Sequence, residues 1–281
     1  MDRKIRYLLI LSFLAVFSTA KAQFDDPKTI EVGPHVGVSY YMGDLNPTLP
    51  FAQSQLEYGG VVRFNYNNRW TFRFDYSRAT VTASDEKIGW RPERGLNFTS
   101  KINDFSLVAE FNFLEYYTGN PKRNVSPYIF GGISVFQYTA FAMVGDELVN
   151  LDGYATEGPE DPNAKWYQKM FGKSSPVGIT IPFGMGVKFA LSRHIAATVE
   201  WRMQKTFTDY LDDVGTVYPA QHAIYTFEDG TTYDLTDPTG NYIAGQQRGN
   251  AAFKDWFGMA RVSLTWKINL PDGRGCNLSK F

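Results

Sequence analysis

The chain has 281 residues, with 28 Lys plus Arg against 29 Asp plus Glu and a formal net charge of -1. That balance removes any overall electrostatic case for nucleic acid, and a single cysteine, Cys276, excludes a disulfide-built scaffold. Glycine (25), Tyr (17), Phe (22) and Trp (6) are plentiful, and a mean hydropathy of -0.30 looks like that of a soluble protein, a poor guide because a transmembrane barrel hides its signal in alternation.

Residues 1–22 predict a secretory signal peptide. Arg3, Lys4 and Arg6 form a basic start, Tyr7 to Phe17 is an apolar run broken only by Ser12, and Ala20-Lys21-Ala22 fits a small-x-small cleavage site before Gln23. The run is too short to span a bilayer. No cysteine stands at the cleavage site for lipid attachment, and no later stretch is apolar for the length a spanning helix needs.

Eight stretches then alternate with period two. Ile30–Gly43 places Ile30, Val32, Val36, Val38 and Tyr40 on one face, with Glu31, Gly33, His35, Gly37 and Ser39 on the other. Leu56–Asn67, Trp70–Thr80 and Asn103–Phe113 repeat the pattern, while Tyr128–Phe141 is apolar on both parities and leaves its facing open. Val177–Ala190, Ile195–Gln204 and Gly258–Leu270 complete the series. Most run about ten to fourteen residues, against five or six for soluble strands. Tilted outer-membrane strands need about nine to eleven.

The connections carry a second signal. Residues 44–55, 81–102, 142–176 and 205–257 are long, whereas 67–69, 114–127 and 191–194 are shorter. Strict alternation of long and short predicts an all-β, eight-stranded antiparallel transmembrane outer-membrane β-barrel with long extracellular loops and short periplasmic turns. The expected layout is a signal peptide over 1–22, a barrel domain over 23–270 and a periplasmic tail over 271–281, with both mature termini in the periplasm. A soluble sandwich or lipocalin-like barrel would also alternate, but with oil inside and charge outside.

With the apolar parity on lipid, Arg63, Arg73, Asp75, Glu110, Lys188, Glu200, Arg202, Arg261 and Lys267 face the lumen. Both signs are mixed there, so the expectation is an interlocked ion network. Gly33, Gly37, Gly59, Gly184 and Gly186 leave room for it, and Tyr66, Trp70 and Trp266 fall where a periplasmic aromatic girdle belongs.

Little looks catalytic. The histidines are His35, His194 and His222. His35 is expected in the lumen beside Glu31 as a satisfied hydrogen bonder, His194 sits in a short turn, and no nucleophile has a supporting triad. Asp209, Asp212 and Asp213 could offer oxygens to calcium, but without calcium-loop spacing a structured loop base or acidic patch fits better. No phosphate loop, zinc set or dinucleotide fingerprint is present. No enzyme activity, cofactor or metal is expected. Trp166, Tyr167 and Met170 mark a short helix or contact patch in the third long loop, and 221–248 reads as an exposed hairpin or flexible loop.

YYMGDLNP (40–47), SPYIFGGISVF (126–136), PFGMGVKF (182–189), TDYLDDV (208–214) and GRGC (273–276) together resemble the PorG-like outer-membrane barrels of the Bacteroidota. The resemblance implies a component of the type IX protein secretion system, linked to protein export and gliding motility. It also implies contact with a periplasmic ring made of a PorK-like lipoprotein and its PorN-like partner. The tail, with Cys276 and Phe281, is the expected contact. The alternative is a barrel paralogue with a structural, adhesive or small-solute role, surrounded by outer-membrane lipid.

Overall fold

The computed structural model describes residues 28–156, 177–250 and 254–270. Its strands are β1 (Thr29–Met42), β2 (Gln55–Asn65), β3 (Trp70–Ser84), β4 (Asn97–Asn112), β5 (Val125–Val144), β6 (Glu147–Asn150), β7 (Val177–Ala190), β8 (Ile195–Thr206), β9 (Ile224–Thr226), β10 (Thr232–Asp234) and β11 (Trp256–Asn269). A four-residue helix, α1 (Asp85–Ile88), and a 3-10 turn over Pro92–Arg94 join β3 to β4.

Nine strands form one sheet in the order β4-β3-β2-β1-β11-β8-β7-β5-β6, and β4 also pairs with β5. β6 pairs only with the tip of β5, so the other eight close into an antiparallel barrel. Closure leaves no sheet edge at membrane depth, which hydrocarbon requires. β1 begins and β11 ends on the side of the short connections, where Leu270 N–H donates to Lys28 C=O at 3.1 Å. A belt of outward apolar side chains wraps the wall, from Val36 and Leu107 to Ile133, which is 65% exposed. A closed barrel with such a belt is an integral outer-membrane protein.

The barrel outruns the membrane on one wall. On β3 the outward residues Phe72 and Phe74 are apolar and the inward Arg73 and Asp75 polar. Beyond Ser77 the polarity inverts, with Arg78, Thr80 and Thr82 outside and Ala79, Val81 and Ala83 buried inside. β4 inverts at Asn103 and β5 at Gln137, and register pairs Arg78 with Asn103 and Asn103 with Gln137. That rung marks the outer edge of the lipid belt. Of residues 81–102, expected to be loop, 81–84 and 97–102 are therefore strand, and the connection shrinks to 85–96.

The facing of β5, open in the sequence, is settled by burial: Tyr128, Phe130, Phe136 and Tyr138 point inward and Ile129, Ile133 and Val135 outward. Residues 221–248 are likewise neither loose nor wholly exposed. They contain the β9–β10 hairpin, and Ala223 and Leu235 pack with Ala142, Val144, Val149 and Leu151 of the β5–β6 hairpin in a second apolar core above the barrel.

The inversion predicts position-dependent tolerance. Leu107→Arg, in the lipid belt, is expected to lower stability by about 2–4 kcal/mol. Gln137→Arg, on the boundary rung, should stay within about 0.5 kcal/mol. Denaturant unfolding of both variants in lipid vesicles checks this.

Candidate functional site

The barrel interior is packed in three layers. In the middle lie the charges. Arg73 Nη1 reaches Glu200 Oε2 at 2.5 Å and Glu110 Oε1 at 2.9 Å. Arg261 Nη2 bridges Asp75 Oδ2 at 2.6 Å and Glu200 Oε1 at 2.8 Å. Lys188 Nζ lies 2.5 Å from Glu110 Oε2, and Arg63 Nε lies 3.3 Å from Glu110 Oε1. Arg202 reaches Asp104 at 3.4 Å and Asp75 at 3.6 Å, and it donates to Ser106 Oγ at 2.6 Å. Tyr128 OH donates to Glu200 Oε2 at 2.5 Å. All these side chains are buried.

Strand alternation aims these groups inward, and glycine makes space for them. A Cβ on Gly59 would lie 2.7 Å from the His35 ring, and one on Gly186 2.8 Å from the Tyr128 ring. His35 itself departs from expectation. Its ring nitrogens face Glu57 at 3.0 Å and Asp75 at 3.4 Å, not Glu31. Lys267, expected in the same network, stands apart near the periplasmic end, with Nζ on Thr118 C=O at 2.5 Å and over the Tyr117 ring at 4.6 Å.

Both ends are filled. At the periplasmic end the β4–β5 connection folds inward, burying Tyr116 and Thr118, and Thr118 Oγ1 donates to Glu31 Oε1 at 2.6 Å. At the outer end Leu211 and Val214, from the loop after β8, join Tyr41, Phe98, Phe136, Phe257 and Met259 in an apolar plug. The lumenal gap lined by His35, Arg63, Glu200 and Ser263 has about 0 Å³ of room for a water-sized sphere, against the roughly 300–1,000 Å³ of ligand pockets.

The cap above the plug is tied by two buried arginines that the sequence reading missed. Arg94 pairs with Asp85 at 2.6 Å and donates to Arg248 C=O at 2.8 Å and Asp44 C=O at 3.1 Å, joining three loops. Arg248 donates to Asp213 C=O at 2.6 Å. Tyr41 OH lies 2.5 Å from Asp212 Oδ2 and 2.8 Å from Asp255 Oδ1, and its single proton serves one of the two contacts. Asp209, Asp212 and Asp213 are all buried rather than a solvated patch. Among the described residues no group of three or more His, Cys, Asp or Glu is arranged to hold a metal ion.

Trp266 and Tyr66 are exposed on the belt near the periplasmic rim, and His194 stacks on Trp266 at 5.5 Å. His222 pairs with Asp234 in the cap. Glu57 and Asp104, absent from the expected network, share the inward parity of β2 and β4, so the alternation already contained them. Arg94, Arg248 and Asp255 lie in connections and carry no periodic signal. Trp166, Tyr167, Met170, Cys276 and Phe281 lie outside the described residues. Each carboxylate of the middle layer is engaged with a cation or hydroxyl, and the chain is an outer-membrane barrel protein.

Buried and exposed pairs should respond differently to mutation. Glu200→Gln leaves Arg73 and Arg261 short of a buried partner and is expected to cost about 3–5 kcal/mol in vesicle unfolding. Glu115→Gln, which breaks a half-exposed pair with Arg123 at 3.1 Å, should leave the midpoint unmoved.

In the cap, burial first and then mutual repulsion push the Asp212 carboxyl well above the ordinary Asp range. Asp255 is raised well above it too, by burial and the neighbouring Asp209 charge. A raised folded pKa means that the folded cap keeps protons which the unfolded chain releases near pH 4. Cap stability should therefore be complete below about pH 4 and fall as pH rises through the folded values. Hydrogen exchange of residues 208–216 should quicken, relative to its intrinsic rate, from pH 5 to pH 8, and Asp255→Asn should flatten that slope.

No curated protein sequence matches the chain. Among solved structures it is similar to Neisserial surface protein A, at 11% identity and TM-score 0.41, covering 86% of this chain and 97% of that one. It is also similar to the N-terminal β-barrel domain of Pseudomonas aeruginosa OprF, at 12% identity and TM-score 0.38, covering 85% and 97%. A third is a major outer membrane protein from Thermus thermophilus, at 10% identity and TM-score 0.38, covering 86% and 99%. These likenesses concern the fold alone. A family model matches residues 5–155, more than half of the sequence. The chain belongs to the family described as Domain of unknown function (DUF6089).

Proposed function

We propose that the chain is a sealed structural barrel that anchors a folded platform at the cell surface and acts by contact rather than by transport. The observation that carries this reading is the unbroken filling of the lumen, from the Leu211–Val214 plug through the Arg73–Glu200 layer to the Thr118 strap. Ionic side chains locked to one another leave no hydrated path, and the small void is too tight for a solute. The surface platform is built instead: two hairpins share an apolar core, and Arg94 cross-ties three loops. That degree of order suits a structural or adhesive role. Reconstituted into planar bilayers, the full mature chain is expected to give no discrete conductance steps. Stable unitary steps in the folded barrel would overturn the sealed reading and favour a small-solute role.

Periplasmic ring contact is the finer reading, and the PorG-like resemblance supports it. β1 begins and β11 ends on the side of the short connections; our reading assigns residues 271–281 to the periplasmic face, with Cys276 and Phe281 as the proposed contacts. Affinity purification of a copy tagged in a surface loop separates the readings. Recovery of PorK- and PorN-like proteins in fixed ratio supports the secretion scaffold. A barrel recovered alone, under conditions that keep the ring intact, removes it. Cys276→Ser with unchanged ring recovery removes the cysteine from that contact.

A further inference from the structure

Outside the barrel, at the outer end of the wall formed by β1, β11 and β8, lies a crevice of about 660 Å³. Its floor is Met42, Met203 and Trp256, all on the lipid-facing parity of their strands. Its roof comes from the loops, with Trp90, Arg91 and Lys254 at the edge. The floor is continuous with the apolar belt: Phe183, an exposed belt residue, packs edge-on to Trp256 at 6.1 Å. Outward-facing Tyr40 is covered by Phe51 at 4.3 Å, and its hydroxyl links Trp201 Nε1 at 2.9 Å to Met203 Sδ at 3.1 Å.

Arg91 and Lys254 bring two accessible cations to the lining, each beside a carboxylate. Arg91 lies 3.4 Å from Glu93, with both side chains partly or largely in solvent. Lys254 Nζ lies 4.0 Å from Asp209, with 39% of its side chain exposed. Arg94, by contrast, is buried and committed to Asp85. The acid on this lining, Asp44, accepts the Asn250 N–H at 2.7 Å. An apolar slot that opens from the lipid belt, ends under loops at the water boundary and carries two cations and an exposed Trp90 has the polarity of one ligand class.

We propose that the crevice holds an acyl chain of an outer-leaflet lipid whose phosphate lies on Arg91 and Lys254. This deepens the surface-platform reading and rests on it: a seated lipid would pin the loop platform to the leaflet it stands on. The acyl chain gains contact with Met42, Met203 and Trp256, and the phosphate gains two cations at the depth where its charge meets water. Each such cation near the surface is worth enough to give severalfold preference for an anionic over a zwitterionic headgroup.

The test uses the full mature chain in phosphatidylcholine vesicles that contain a photoactivatable phosphatidylglycerol, with labelled peptides mapped after illumination. The expected result is labelling concentrated on the peptides of Met42, Met203 and Trp256, well above the belt peptides of Phe74 and Leu107. The double variant Arg91→Gln, Lys254→Gln should cut crevice labelling about tenfold or more, and photoactivatable phosphatidylcholine should show no such enrichment. Inorganic phosphate, which lacks the acyl chain, should not compete. Even labelling around the belt, enrichment unchanged in the double variant, or full competition by inorganic phosphate would overturn the proposal. Heat-modifiable gel mobility and bilayer silence of the same preparation report on the sealed barrel separately, so failure here is distinguishable from failure of that reading. Wild-type labelling stands by itself if the double variant does not fold.

Discussion

A peptide group left bare in hydrocarbon costs several kcal/mol, and that penalty dictates the molecule. The sheet must close, and with eight strands the enclosed space is only as wide as the side chains that fill it. Residues of the inward parity are thus forced into mutual contact. Charges in that position must be paired, and Arg73, Arg261, Asp75, Glu110 and Glu200 are shared so that each touches more than one opposite charge. A lumen solved this way is a solid. Its bearing on function is direct: the membrane part can anchor, and the surface part is left to interact.

The same strands serve two solvents. Below the Arg78–Asn103–Gln137 rung, oil faces out and charge faces in; above it, polar residues face water and Ala79, Val81, Phe98 and Ile102 form an apolar core. The plug is therefore an extension of the wall into the external medium, where the ordinary hydrophobic effect returns. Leu211 and Val214 enter it from the loop between β8 and β11, and Tyr41 ties that loop to the barrel through Asp212 and Asp255. Two segments that carry the PorG-like resemblance, 40–47 and 208–214, thus meet at the barrel mouth. Their chemistry there is structural.

The membrane half was legible in the sequence because its period is two and its polarity constant. That is why Arg63 to Arg261 could be placed inward before any coordinates, and why Glu57 and Asp104 lay on the correct face even though unnamed. The outer half was harder for a physical reason. When polarity inverts beyond Ser77, a strand still alternates, but the small Thr and Ala residues around 79–84 resemble a loop. β5 was ambiguous because aromatic residues fill its inner face in both halves. The partner of His35 was misplaced because register sets Gly59 opposite it and brings Glu57 alongside, a cross-strand fact that no single strand contains. Arg94 and Arg248 act between loops, where neither period nor spacing announces a contact.

The sealed-barrel reading rests on a lumen closed to water-borne reagents. The most direct measurement is the reactivity of single cysteines, in a Cys276→Ser background, toward a charged thiol reagent applied to the folded barrel in vesicles and in detergent. Ser263→Cys, beside the central void, and Ser106→Cys, at Arg202, are predicted to stay unreactive until the barrel unfolds. Asp229→Cys in the exposed β9–β10 turn should react at once. Lumenal cysteines that react at the rate of the exposed one, in a barrel that remains folded, would contradict the account and make this protein a pore.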